Sequence, residues 1–106
     1  MPVKIKRLLK ELKDGLVRIY GDRLRGLYLY GSYARGEAQA ESDVDVMVVL
    51  EDYESYGKEI DRTGGLVSDL SLEYGISISR VIVKESQWLN RETPLLWNIH
   101  LDGIPA

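Results

Sequence analysis

The residues best suited to chemistry lie between Gly31 and Asp45. Gly31-Ser32 follows a short apolar run, and Asp43 and Asp45 come later in the same stretch, separated by one valine. A glycine lets the backbone approach a ligand closely. Alternate residues of a strand point to the same face, so the two aspartates are expected to project together. Neighbouring carboxylates repel unless a cation lies between them, and Mg²⁺ prefers such oxygen ligands together with phosphates. The pattern predicts a site for a divalent cation and a nucleotide.

Four residues are candidates for holding the nucleotide: Gly31, Ser32, Arg35 and Ser42. Ser32 is expected to cap a short helix that runs to Arg35. The first N–H groups of such a helix, with its dipole, attract phosphate. Arg35 is placed either to face the same anion or to brace the loop, and both readings stay open. Ser42 is the last candidate, although bracing the loop is its more ordinary role.

Secondary structure follows from hydrophobic spacing and from turn residues. Apolar residues at helical spacing alternate along the chain with short β-branched and aromatic runs that indicate strands. This order predicts an α+β protein with a small sheet, in which the first two strands lie side by side. The predicted elements are helix Val3–Tyr20, strand Leu27–Tyr30, a short helix to Arg35, a loop over 36–41, strand Val44–Leu50, helix Tyr56–Tyr74, strand Ile76–Val83, a helical turn Glu85–Asn90 and a last helix from Pro94.

Bulk properties narrow the class of protein. The 106 residues fit one domain, 1–106. No apolar run approaches the ~20 residues that a membrane span needs, and we expect no signal peptide. The chain has no cysteine, which fits a cytoplasmic protein without disulfides. A net charge of −3 argues against direct nucleic-acid binding. The basic first helix is usually a solvated face; its alternative is a docking surface for an acidic partner or RNA.

A family resemblance rests on the two-part motif. Gly31-Ser32-x-x-Arg35-Gly36, followed by Ser42-Asp43-x-Asp45, resembles the signature of the minimal nucleotidyltransferases, which are small members of the DNA polymerase beta-like nucleotidyltransferase superfamily. The resemblance implies a mixed sheet flanked by helices. It implies ATP or another nucleoside triphosphate held by the Gly31-Ser32 turn, with Asp43 and Asp45 as catalytic ligands of Mg²⁺.

The same resemblance implies a reaction and a partner. Members of the superfamily transfer a nucleoside monophosphate to a hydroxyl and release pyrophosphate. Small members are often encoded beside HEPN-domain toxins as their antitoxins, and they can attach AMP to a tyrosine of the partner. A HEPN-domain partner and ATP are therefore the expected binding partners, and a homo-oligomer is compatible with the sequence.

One position departs from the family pattern. Catalytic members carry a third carboxylate on a neighbouring strand, where this chain has Ser77 and Ser79. Glu73 and Glu41 are the remaining candidates for that role. The departure leaves two readings: an enzyme that works with two carboxylates, or a nucleotide-binding module that neutralises a HEPN ribonuclease by contact alone. A nucleotidyltransferase for small molecules such as antibiotics is a third reading, and such proteins usually carry a further domain.

Overall fold

The computed structural model describes residues 1–106 and contains ten elements. Helices and strands alternate along most of the chain, as the hydrophobic spacing predicts. The elements are α1 (Val3–Tyr20), a 3₁₀ turn (Gly21–Arg23), β1 (Leu24–Tyr30), α2 (Gly31–Arg35), β2 (Val44–Leu50), α3 (Tyr56–Tyr74), β3 (Ile78–Lys84), α4 (Glu85–Asn90), α5 (Pro94–Asp102) and β4 (Ile104–Pro105).

The four strands form one mixed sheet in the order β3-β2-β1-β4. β1 runs antiparallel to both β2 and β4, whereas β2 and β3 are parallel. A parallel pair needs a crossover connection, and α3 supplies it between β2 and β3. The pairing confirms that the strand ending at Tyr30 lies beside the strand beginning at Val44. The structure is therefore an α+β fold with a small mixed sheet flanked by helices.

Strand β2 is buried on both faces, which explains its nearly continuous apolar sequence. Val44 and its alternate residues belong to the main core, which α1 and α3 cover. Met47 and Val49 pack on the opposite face against Leu96 and Ile99 of α5. Because side chains alternate along a strand, Asp45 shares the face of Met47 and points away from α1 and α3.

Predicted bounds agree with the structure for α1, β2 and α3. β1 begins at Leu24, three residues before the predicted start, because Arg25 and Gly26 hide the strand pattern. Arg25 forms ion pairs with Glu51 at 3.5 Å and Glu85 at 3.7 Å. β3 begins at Ile78 rather than Ile76, since the chain first leaves α3 through a left-handed Gly75.

One element, β4, was not predicted, and the predicted helix Tyr56–Tyr74 is confirmed although it contains two adjacent glycines. β4 has only two residues, Ile104 and Pro105, and so carries no strand period that could be recognised. The Gly64-Gly65 pair weakens the helix pattern, yet α3 continues through it without a break. Apart from these details, no helix of the structure combines the length and the apolar character needed to cross a bilayer.

Candidate nucleotide and metal site

Gly31 lies at the centre of the candidate site, directly against Asp45. The antiparallel register of β1 and β2 pairs Tyr30 with Asp45, which brings the following glycine to the carboxylate. Gly31 has a φ of 74°, a conformation that favours glycine. A Cβ at this position would collide with the Oδ2 atom of Asp45. The glycine therefore serves two needs, the tight exit from β1 and the space for the Asp45 carboxylate.

Ser32 does not cap α2, so that part of the prediction was wrong. The helix begins at Gly31, and its N-cap position is taken by Tyr30, two residues earlier than expected; Tyr30 makes no side-chain capping bond. Ser32 lies inside the first turn instead. The first four N–H groups of a helix have no partner within it. The Gly31-Ser32 turn thus presents backbone donors beside Asp45.

The two aspartates lie close enough to influence each other. Asp45 is half-buried on β2, and Asp43 is exposed just before the strand begins. Burial raises the pKa of Asp45, the charge of Asp43 raises it further, and the charge of Arg35 lowers it. Asp45 is therefore held in an environment that disfavours its charge, and a bound cation would relieve this repulsion. The donor set and the space kept by Gly31 both fit a hard divalent ion.

Arg35 and Ser42 both brace the loop between α2 and β2. The Arg35 Nε atom donates to the Glu37 Oε1 atom at 2.8 Å. The Ser42 hydroxyl accepts from the Gln39 N–H at 2.8 Å, and the Ser42 N–H donates to the Gln39 carbonyl at 3.0 Å. Arg35 additionally lies near Asp45, as its effect on that pKa shows. The structure thus shows the loop role for both residues, and the contact of Arg35 with a bound anion stays a prediction.

A serine lies beside Asp45 on the strand where the family resemblance predicts a third carboxylate. Ser79 of β3 is the register partner of Asp45, so the two side chains lie on one face of the sheet. The Ser77 carbonyl accepts from the Val44 N–H at 2.9 Å. Glu73 lies on α3, which covers the opposite face of the sheet, and its negative charge lies near Tyr74 there. No group of three or more acidic, histidine or cysteine side chains forms a metal-binding cluster.

Tyr30 is a neighbour of the site that was not singled out from the sequence. It pairs with Asp45 across the β1–β2 ladder and is half-buried on the same face. Burial raises the pKa of the Tyr30 phenol, and the nearby Asp45 charge adds to this effect. The available signal was its position immediately before Gly31, together with the expected pairing of the two strands.

A second polar cluster lies at the far end of β2 and has a structural role. The Tyr20 hydroxyl donates to the Glu59 Oε1 atom at 2.8 Å, and the Arg62 Nε atom lies 3.1 Å from the same oxygen. Glu59 is only 4% exposed, and these two partners supply the polar contacts that a buried carboxylate needs. The surrounding depression of about 360 Å³ is separate from the aspartate pair, since neither aspartate lines it.

Known proteins are similar to this chain in sequence and in fold. The protein named Putative protein adenylyltransferase MJ0141, from Methanocaldococcus jannaschii, is 37% identical over 84 residues, which cover 79% of this chain and 84% of the relative. A crystal structure described as a putative nucleotidyltransferase from Sulfolobus solfataricus superposes with a TM-score of 0.68 at 16% identity, covering 96% of this chain and 80% of the other.

A further structural neighbour is a crystal structure of a toxin–antitoxin with AMP-PNP. It superposes with a TM-score of 0.59 at 20% identity, covering 91% of this chain and 70% of the other. At these identities the two structures establish the shared fold alone. Residues 5–95 match the family described as Nucleotidyltransferase domain, and this range includes Gly31, Ser32, Asp43 and Asp45. The chain belongs to the nucleotidyltransferase domain family, a family of enzymes.

Proposed function

We propose that this protein transfers AMP from ATP to a hydroxyl, most simply a tyrosine, of a HEPN-domain partner protein and acts as the antitoxin of that pair. Family membership supports the reaction class. The name of the M. jannaschii relative supports a protein acceptor. A structural neighbour is a toxin–antitoxin that was crystallised with an ATP analogue, which supports a toxin partner and an adenine nucleotide.

The candidate site assigns a task to each of its residues. Asp43 and Asp45 would hold Mg²⁺, which supplies charge neutralisation at the phosphates when bound. The Gly31-Ser32 turn, with its backbone donors and the Ser32 hydroxyl, would orient the triphosphate beside Asp45. Arg35 would add positive charge at the rim, and Ser42 would keep the loop in place. Positioning and electrostatic complementarity are the main sources of catalysis in such transfers.

The reaction exchanges one phosphorus–oxygen bond for another. The acceptor hydroxyl oxygen forms a bond to the α-phosphorus of ATP. The bond from that phosphorus to the oxygen leading to the β-phosphate breaks, and pyrophosphate leaves with the electron pair. The hydroxyl proton is released to water. We treat residues 1–106 as a single domain that performs this transfer in the cytoplasm, where ATP is abundant.

The single observation that carries the proposal is the contact of Gly31 with Asp45, since it joins the turn to the carboxylate pair. The test is incubation with ATP labelled at the α-phosphate, Mg²⁺ and a HEPN-domain partner from the same genome. Label should appear on the partner with the wild-type protein and disappear with Asp43→Asn or Asp45→Asn. Absence of label at every concentration of the wild-type protein would remove the enzymatic claim.

Ser79 favours one alternative, a module that binds nucleotide and neutralises the HEPN protein by contact. It lies beside Asp45 where the family resemblance expects a third carboxylate. The double variant Asp43→Asn/Asp45→Asn separates the two functions. Full neutralisation of the partner by that variant supports the contact mechanism, whereas loss of neutralisation with retained binding supports transfer of AMP.

A further inference from the structure

The outer edge of the sheet beside the candidate site carries unpaired backbone groups. β3 is the last strand on its side and pairs only with β2. The Val44 N–H donates to the Ser77 carbonyl, which fixes the alternation of hydrogen bonds along the parallel pair. Ser79 and Val81 therefore direct their backbone groups to β2. Ile78 and Arg80, which alternate with them, direct theirs outward.

Only the far end of this edge is blocked by the protein itself. The Tyr53 hydroxyl donates to the outward carbonyl of Ile82 at 3.2 Å, and the outward N–H of Lys84 donates to the Gln87 side chain at 2.9 Å. The N–H and carbonyl groups of Ile78 and Arg80 have no such partner. The open part of the edge therefore starts beside Ser79, the residue next to Asp45 in the sheet.

The residues on the flank of α3 above this edge have unusually small side chains. Leu66 packs against Gly15 of α1 on one flank of the helix. At 100° per residue, Gly64 and Ser68 lie on the opposite flank, on the side of β3. Arg80 reaches this part of α3 and donates to the Ile60 carbonyl at 2.8 Å.

Internal packing does not require a glycine in this part of α3. A Cβ at Gly64 would meet no atom within 4 Å, although a glycine inside a helix costs roughly 1 kcal/mol relative to alanine. A depression of about 370 Å³ continues from this flank to Ser77.

We propose that the open edge of β3 binds an extended segment of the acceptor protein as an added strand, and so presents the acceptor hydroxyl to the nucleotide. This inference rests on the proposed function. Free backbone groups on an exposed strand are complementary to one kind of occupant, another extended backbone. The edge is also continuous with the candidate site, which favours the acceptor over an unrelated ligand.

The distances suit this arrangement. Neighbouring strands are about 4.8 Å apart, so a strand added to β3 would lie roughly 10 Å from β2. A side chain opposite Ser79 would share the face of Asp45. A tyrosine there could lay its ring across Ser79, whose small side chain leaves the path clear, and bring its hydroxyl towards a phosphate held at Asp45. The serine would then have a function of its own at this position.

The direct test measures amide hydrogen exchange by NMR, with and without a saturating HEPN-domain partner. The N–H groups of Ile78 and Arg80 should exchange rapidly in the free protein and at least 10-fold more slowly in the complex. Those of Ser79 and Val81, which bond to β2, should be protected in both states and serve as the internal control. Unchanged exchange at Ile78 and Arg80 would overturn the proposal, whether or not AMP is transferred.

A variant pair provides the second test. Arg80→Pro removes one outward N–H and the side chain, and proline is tolerated where an edge N–H faces solvent. Arg80→Ala removes only the side chain and is the matched control. Arg80→Pro should lose labelling of the partner at least 10-fold relative to Arg80→Ala, while both keep the same affinity for Mg²⁺-ATP. Equal labelling of the partner by the two variants would refute the binding of the acceptor at this edge.

Failure of the proposed reaction and failure of the proposed binding at the β3 edge give different results. If the wild-type protein transfers no AMP, the proposed reaction fails, and the exchange measurement still decides whether the edge binds the partner. If slow exchange at Ile78 and Arg80 appears in the protein alone and depends on its concentration, the edge pairs with a second copy of this chain. That result would contradict the proposed occupant.

Discussion

Replacing Gly31 by alanine should damage both the fold and the nucleotide site, for two separable reasons. The residue has a φ of 74°, and a left-handed conformation costs a non-glycine residue about 1–2 kcal/mol. In addition, the new Cβ would collide with the Asp45 carboxylate. Forcing an extra carbon into an occupied site typically costs about 1–3 kcal/mol. We therefore expect a total loss of about 2–5 kcal/mol in the free energy of unfolding.

Gly75→Ala is the matched control for backbone strain. Gly75 ends α3 with a φ of 62°, and a Cβ there would meet no atom within 4 Å. This variant should lose only the conformational part, about 1–2 kcal/mol. Urea unfolding at 25 °C measures both variants. Titration with Mg²⁺-ATP should show weakened binding for Gly31→Ala and unchanged binding for Gly75→Ala.

A double-mutant cycle completes this test. If the extra loss in Gly31→Ala comes from the Asp45 carboxylate, it should shrink when Asp45 is also replaced by alanine, because the colliding atoms are then absent. The reasoning is refuted if Gly31→Ala and Gly75→Ala lose the same stability and bind Mg²⁺-ATP equally well. It is also refuted if the extra loss persists in the Asp45→Ala background.

Three further predictions concern individual side chains. Asp45→Asn should leave the fold intact by circular dichroism and weaken Mg²⁺-ATP binding by about 100-fold or more in calorimetric titration. The reason is that loss of groups that only support metal ligands already lowers metal affinity by about 10–100-fold. Binding equal to that of the wild type would contradict the metal role of Asp45. Tyr20→Phe should cost about 1–3 kcal/mol in urea unfolding at pH 7, because Glu59 loses a buried partner. Burial and the bond to Glu59 raise the pKa of Tyr20, so the folded state keeps a proton that the unfolded state loses above about pH 10. The free energy of unfolding should therefore fall with rising pH in this range, and it should fall more steeply in the wild type than in Tyr20→Phe. Equal pH dependence of the free energy of unfolding in the two proteins would contradict this. Gly64→Ala should raise the free energy of unfolding by about 0.5–1 kcal/mol, since its Cβ meets open space inside a helix, and a loss would show unrecognised packing at this position.

Periodicity was sufficient to predict the long elements of this fold. α1, β2 and α3 have the predicted bounds because each carries an apolar pattern long enough to outweigh local exceptions such as Gly64-Gly65. The exact start of β1, by contrast, depends on Arg25, whose ion pairs exist only after Glu51 and Glu85 have been brought near by the fold. β4 depends entirely on tertiary pairing with β1.

The candidate site divides in the same way. The types and spacing of Gly31, Asp43 and Asp45 were sufficient to predict that they converge, because strand alternation and a strand-end glycine are local properties. The contact between Gly31 and Asp45, the neighbouring Tyr30 and the placement of Ser79 beside Asp45 all depend on strand register. Register is set by the packing of the whole sheet, which no short motif encodes.

The central claim is that the aspartate pair and the Gly31-Ser32 turn together bind a divalent cation with a triphosphate. Its most direct test is calorimetric titration of ATP into the protein with Mg²⁺ and with the metal removed by chelation, for the wild type and for Asp43→Asn/Asp45→Asn. We predict that the wild type binds ATP only when Mg²⁺ is present and that the double variant does not bind in either condition. Equal ATP affinity with and without Mg²⁺, or full binding by the double variant, would contradict the claim.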